Sequence, residues 1–228
     1  MRHLTVLSGL LLSAFAFAQT DAAGHWQGSI QIPNHELPIT VDIAKAGGEW
    51  IGSITVSGSS AVDVPLHFVT MKDREVRFTA NLPERTSFDA HLSLDRTEIS
   101  GAASSSAGEA DLVLKRKGEP NVRLPRPSTP ISKDFEGTWE GALQSSGHRV
   151  GLKLSAGPGG LGSATLIAID QGKMEIPAST VIANGKQLEV EVRSISGAYS
   201  GTLGSDEIAG TWTEGGQKIA LTLKRVSQ

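Results

Sequence analysis

The sequence predicts an all-β protein of two tandem antiparallel up-and-down β-barrels, about eight strands in each. Three observations predict it. The chain echoes itself, apolar and polar residues alternate with a period of two inside each copy, and glycine-rich turn signals separate the alternating runs.

The echo begins with Gly24-His25-Trp26-Gln27-Gly28 (GHWQG), which returns as Gly137-Thr138-Trp139-Glu140-Gly141 (GTWEG) with the tryptophans 113 positions apart. Ile51-Gly52-Ser53-Ile54-Thr55-Val56 matches Leu161-Gly162-Ser163-Ala164-Thr165-Leu166, and Val64-Pro65 matches Ile176-Pro177. Val76-Arg77-Phe78 lies over Leu188-Glu189-Val190, Phe88 to Leu92 over Tyr199 to Leu203, and Ile99-Ser100-Gly101 over Ile208-Ala209-Gly210. Leu112 to Arg116 closes on Leu221 to Arg225. An offset that drifts only between 109 and 113 marks an internal duplication with small insertions in loops.

Residues 1–18 read as a signal peptide: a short basic start, an apolar run from Leu4 to Phe17, and Ala16-Phe17-Ala18 as the cleavage pattern. Cleavage after Ala18 is expected to send the protein to a bacterial periplasm or outside the cell. No later run is long and apolar enough for a membrane span, and the absence of cysteine excludes a disulfide framework. Residues 19–116 form the first copy and 135–228 the second. Between them, residues 117–134 (KGEPNVRLPRPSTPISKD) carry four prolines, which suit an extended linker better than a sheet interior. The net charge of −3 lacks the basic footprint of a nucleic-acid binder.

Within the second copy Trp139, Gly141 and Leu143 alternate with Glu140, Ala142 and Gln144. The same parity runs through Val150-Leu152-Leu154, Leu188-Val190-Val192 and Ile219-Leu221-Leu223. Such strands bury one face, and a one-sided meander of this size hides that face, and its edges, by curling into a closed or nearly closed barrel. First and last strands then become neighbours. Trp26 and Arg116, and Trp139 and Arg225, share the inward parity, so each arginine is expected to stack on an indole and plug one barrel end as a structural closure. Two separate barrels or one shared sheet both satisfy the pattern.

A G-x-W on the first strand with an arginine on the last resembles the lipocalin and avidin-like barrels, hence a lipocalin-like expectation for each copy. The second copy also carries Asp170-Gln171-Gly172, Ile176-Pro177, Ile195-x-Gly197-x-Tyr199-x-Gly201-x-Leu203 and Ile208-x-Gly210-Thr211-Trp212, then Gly215-Gly216 to Leu221-x-Leu223-x-Arg225. That pattern is similar to the β-rich N-terminal domain found ahead of secreted bacterial α/β-hydrolases, a domain with no defined activity of its own. The resemblance implies a β domain in an exported setting. The first copy departs from it, with Ala103 in place of the second tryptophan and Ser104-Ser105-Ser106 in the turn that follows.

Catalytic motifs are missing. There is no G-x-S-x-G elbow, and Gly157-x-Gly159-x-x-Gly162 matches a dinucleotide string but precedes no helix and so reads as a hairpin loop. His25, His35, His67, His91 and His148 show no metal-ligand spacing. No catalytic residue, metal or cofactor is therefore expected, and the chain reads as a non-enzyme. The inward aromatics Phe78, Phe88, Tyr199 and Trp212 are the candidate ligand-binding residues, with plain core packing as the competing role. The expected function is an exported binding module for a small apolar ligand. The alternative is an accessory or inhibitory partner of a secreted hydrolase or protease.

Overall fold

The described residues, 22–33 and 35–227 of a computed structural model, form seventeen strands and no α-helix. The expected signal peptide (1–18) and the mature terminus at Gln19 lie outside the described residues. No helix among the described residues is long and apolar enough to cross a membrane.

The first eight strands are β1 (Gly24–Ile32), β2 (His35–Ala46), β3 (Glu49–Val56), β4 (Val64–Lys72), β5 (Glu75–Leu82), β6 (Glu84–Leu92), β7 (Glu98–Ser105) and β8 (Gly108–Gly118). Each pairs with the next, and β1 pairs with β8, so the sheet is a closed barrel. Closure demands a close approach of β1 to β8, and Gly28 permits it: a Cβ there would lie 1.9 Å from the Val113 carbonyl oxygen. Inside, alternate residues such as Val41, Ile43, Ile54, Ile99, Leu112 and Leu114 are fully buried.

The remaining strands are β9 (Gly137–Ala142), β10 (Arg149–Ala156), β11 (Gly162–Ala168), β12 (Met174–Pro177), β13 (Thr180–Asn184), β14 (Gln187–Val192), β15 (Gly197–Leu203), β16 (Glu207–Glu214) and β17 (Gln217–Ser227). They make a nine-stranded half-barrel in the order β12-β11-β10-β9-β17-β16-β15-β14-β13, enclosing its own core. The expected count of about eight strands thus becomes eight and nine, and the second sheet is not closed by a ladder. The physical reason lies after Pro177. In the first copy the strand that begins Val64-Pro65 continues as β4; in the second it breaks at Ala178-Ser179. There the chain steps across the seam: Ala178 N–H donates to Ala164 O on β11 at 2.9 Å, and Ser179 N–H donates to Glu191 O on β14 at 2.7 Å.

The proline-rich segment lies along this seam and is hydrogen-bonded to both sheets. Thr129 N–H donates to Val181 O at 3.0 Å and Thr129 O accepts from Gly162 N–H at 2.8 Å, so one residue bridges β11 and β13. Its hydroxyl accepts from Ala183 N–H at 2.7 Å and donates to Ala183 O at 3.1 Å. On the barrel, Asp42 and Ser53 are buried polar residues whose oxygens accept from the Asn121 and Arg123 N–H groups at 2.7 and 3.3 Å. Prolines cannot donate, so the remaining amides anchor the segment. The string Gly157-x-Gly159-x-x-Gly162 is the hairpin connection between β10 and β11, with a short 3-10 turn at Pro158–Gly160.

Candidate functional site

One end of each sheet is sealed in the same way. Trp26 pairs in register with Arg116, whose guanidinium stands 4.3 Å from the indole centroid, and Trp139 pairs with Arg225 at 4.0 Å. Each indole N–H donates to the carbonyl four residues upstream, Trp26 to Ala22 at 2.9 Å and Trp139 to Phe135 at 2.8 Å. Each arginine also donates to backbone carbonyls: Arg116 to Ala23 before β1 and to Arg96 of the β6–β7 turn (2.9 Å), Arg225 to Asp134 and to Glu136 (2.5 Å) before β9. The stacked pairs close the cores at these ends; outside them lie open depressions with charged rims, about 750 Å³ beside Arg225, Asp134 and Lys186 and about 520 Å³ beside Arg96, Arg74 and Asp73.

The opposite ends differ, and one row of inward residues shows why. In the first barrel the row across β5 to β8 reads Phe78, Phe88, Ala103, Ala110. The matching row across β14 to β17 reads Val190, Tyr199, Trp212, Ile219. Phe78 and Phe88 stack on each other at 4.5 Å and are buried. Tyr199 is buried too: its hydroxyl donates to Ile208 O at 2.8 Å, within reach of Leu221 O at 3.3 Å, and burial pushes its phenol well above the usual range. Trp212 lies over Gly197, where a Cβ would meet its ring at 2.4 Å, and its indole N–H donates to Glu214 at 3.0 Å.

Where the second sheet has Trp212 and Ile219, the first has two alanines, and a cavity of about 640 Å³ opens there. Ala103 and Ala110 line it together with Ile30, Leu37, Val56 and Leu82. Its outer wall carries Ser59 and Ser60 of the β3–β4 loop, Thr86 of β6, one carboxylate, Glu109, and Ser194 and Ile195 from the 3-10 turn Arg193–Ile195 of the second sheet. That turn is held by Arg193, which donates to Asp63 O of the barrel at 2.9 Å and to Arg123 O of the linker at 2.7 Å, and by Ser196, which donates to Ser60 O of the barrel at 2.6 Å. The size and the apolar lining suit a small hydrophobic molecule at a barrel mouth.

None of the four expected aromatic residues lines this cavity. Phe78 and Phe88 form its neighbouring core, and Trp212 occupies the equivalent space in the other sheet. Tyr199 and Val190 border a separate depression of about 410 Å³ under Leu124 and Arg126. Of the cavity lining the sequence marks only Ala103, where the first copy lacks the tryptophan of the second.

No protein-family model and no curated protein matches the chain. Among solved structures it is similar to a protein of unknown function of the DUF3598 family from Nostoc punctiforme PCC 73102. The identity is 15%, over 89% of this chain and 96% of that chain, with a TM-score of 0.26, a likeness that carries no argument about function.

Proposed function

We propose that this chain is an exported, non-catalytic binding module built from two copies of one lipocalin-like up-and-down barrel, in which only the first copy is hollow enough to hold a small apolar ligand. One observation carries the reading: the row Phe78-Phe88-Ala103-Ala110 leaves open the space that Trp212 and Ile219 fill in the other copy, and the resulting 640 Å³ cavity is lined by those two alanines. The second copy, filled and bonded along the shared linker, acts as a support that supplies part of the cavity wall.

The test is native mass spectrometry of the exported protein beside an organic extract of the same preparation, run on wild type and on Thr86→Gly/Ala103→Trp. The double variant copies the Gly197–Trp212 arrangement into the first barrel. A stoichiometric lipid-sized mass that wild type carries and the double variant lacks supports the reading. Equal occupancy in both, or no retention of added apolar ligand by wild type, overturns it.

A further inference from the structure

The wall of the cavity says what kind of head group its occupant carries, an inference that rests on the binding reading above. Glu109 lines the opening. Glu84, tied to the hydroxyl of Ser106, opens β6, and Glu36 accepts from Gln31 at 3.0 Å on the β1–β2 hairpin. The arginines nearby are engaged elsewhere. Arg85 stands over the Phe68 ring at 5.4 Å, and Arg193 is taken up by Glu191 at 2.9 Å and by the two carbonyls that dock its turn. Among the described residues, the cavity lining includes Glu109 and no lysine, arginine or histidine, so a carboxylate entering it would meet a like charge first, and burying an unpaired charge is costly.

A neutral polar group meets a different reception. Among the described residues Ser194 Oγ is a buried side-chain oxygen without a hydrogen-bond partner, on a residue 4% exposed, and Ser194 belongs to the cavity wall. Buried hydroxyls are nearly always bonded, so an orphan beside an apolar cavity needs an explanation. The Oγ itself has almost no exposed surface, but a serine hydroxyl turns readily between staggered positions, and a χ1 rotation presents it to the cavity, where it can both donate and accept. We infer that the cavity takes a single-chain aliphatic amphiphile with an uncharged hydroxyl or amide head, that Ser194 is its specificity-determining contact, and that Glu109 rejects free fatty carboxylates. The residue that selects the head group thus comes from the second copy, while the apolar tail is held by the first.

The experiment uses the whole exported chain loaded with Nile red, a neutral dye whose emission rises in apolar surroundings, and displaces it with decanol or decanoate below their aggregation limits. Decanol is expected to displace at least about tenfold more tightly than decanoate, as loss of an unpaired-charge penalty requires. Ser194→Ala should weaken decanol about fivefold, the worth of one neutral hydrogen bond, with each protein's displacement referred to its own dye affinity. Glu109→Gln should bring decanoate towards decanol. Decanoate binding as well as decanol, or Ser194→Ala leaving decanol unaffected, overturns the head-group inference while the cavity reading stands. No dye uptake by wild type beyond that of Thr86→Gly/Ala103→Trp overturns both.

Discussion

The two copies share one end and differ at the other. At the sealed end each has a buried tryptophan under an arginine, with the indole N–H donating to the carbonyl four residues upstream. At the other end, Ala103 and Ala110 stand against Trp212 and Ile219, and Thr86 stands where Gly197 makes room for the indole. The seams differ as well. β4 is one strand with an irregularity after His67, joined to β3 through only two residue pairs, while its counterpart is broken into β12 and β13 and bridged by the linker. A closed barrel and a half-barrel can therefore keep the same tryptophan–arginine closure at one end while the first empties its mouth and the second opens its side. Closure depends on a few bonded groups at one end; the volume at the other end is set by side-chain size, which changes independently.

The largest expected effect comes from removing the residue that distinguishes the two mouths. Trp212→Ala should cost about 3–5 kcal/mol in urea unfolding, because the second core loses a large buried ring and cannot collapse around the gap. It should also give the second copy a dye-binding cavity of its own. A loss below about 1 kcal/mol would mean that Trp212 does not fill that core, and the contrast between the copies would fall with it. Thr129→Val comes next. It removes the hydroxyl that both accepts from and donates to Ala183, leaving an edge amide and a carbonyl of β13 without partners at the seam, for about 1–3 kcal/mol. Amide exchange along β13 and β11 should accelerate in that variant, while β1 to β8 stay protected. Equal acceleration in the barrel would show that the linker serves both sheets alike.

Much of this fold is written in local pattern. Period-two alternation and turn chemistry are local signals, so the strands, the duplication and the facing of Trp26 on Arg116 could be anticipated from parity alone. Three features could not. The break at Ala178-Ser179 follows Pro177, yet Pro65 in the matching place is followed by continuous strand, so the outcome depends on which partner edge the next amides reach. The linker's role depends on contacts between residues far apart in sequence, such as Asn121 with Asp42 and Thr129 with Val181. The cavity is an absence of side-chain volume, visible only when Ala103 and Ala110 are known to be cross-strand neighbours. Ser194 and Glu109, which belong to different copies, meet at one wall that no periodicity could reveal.

The smallest expected effect concerns the barrel's own seam. His67 sits next to Phe68, whose φ of +52° is unfavourable for a phenylalanine, at the point where β4 slips register against β5. Burial, and then the charge of Arg85, lower the His67 pKa below its ordinary 6.5. The folded barrel therefore binds fewer protons at this site than the unfolded chain in the window between its lowered folded value and about 6.5. Stability from this residue is complete above that pH and falls as the pH descends from it towards the lowered folded value. The residue is only partly buried, so solvent screening keeps the loss small. The matching position in the second copy is Ser179, which cannot titrate, so the effect should be confined to one copy. Urea midpoints of wild type and His67→Gln at neutral and mildly acidic pH isolate it, because every other histidine is common to both proteins. Wild type should lose more on acidification than the variant, and exchange of β3 and β4 amides should quicken only in wild type. Identical pH slopes would show that the bulged seam is held by its backbone pairs alone, and that the two copies differ at their mouths and in the linker but not in their response to acid.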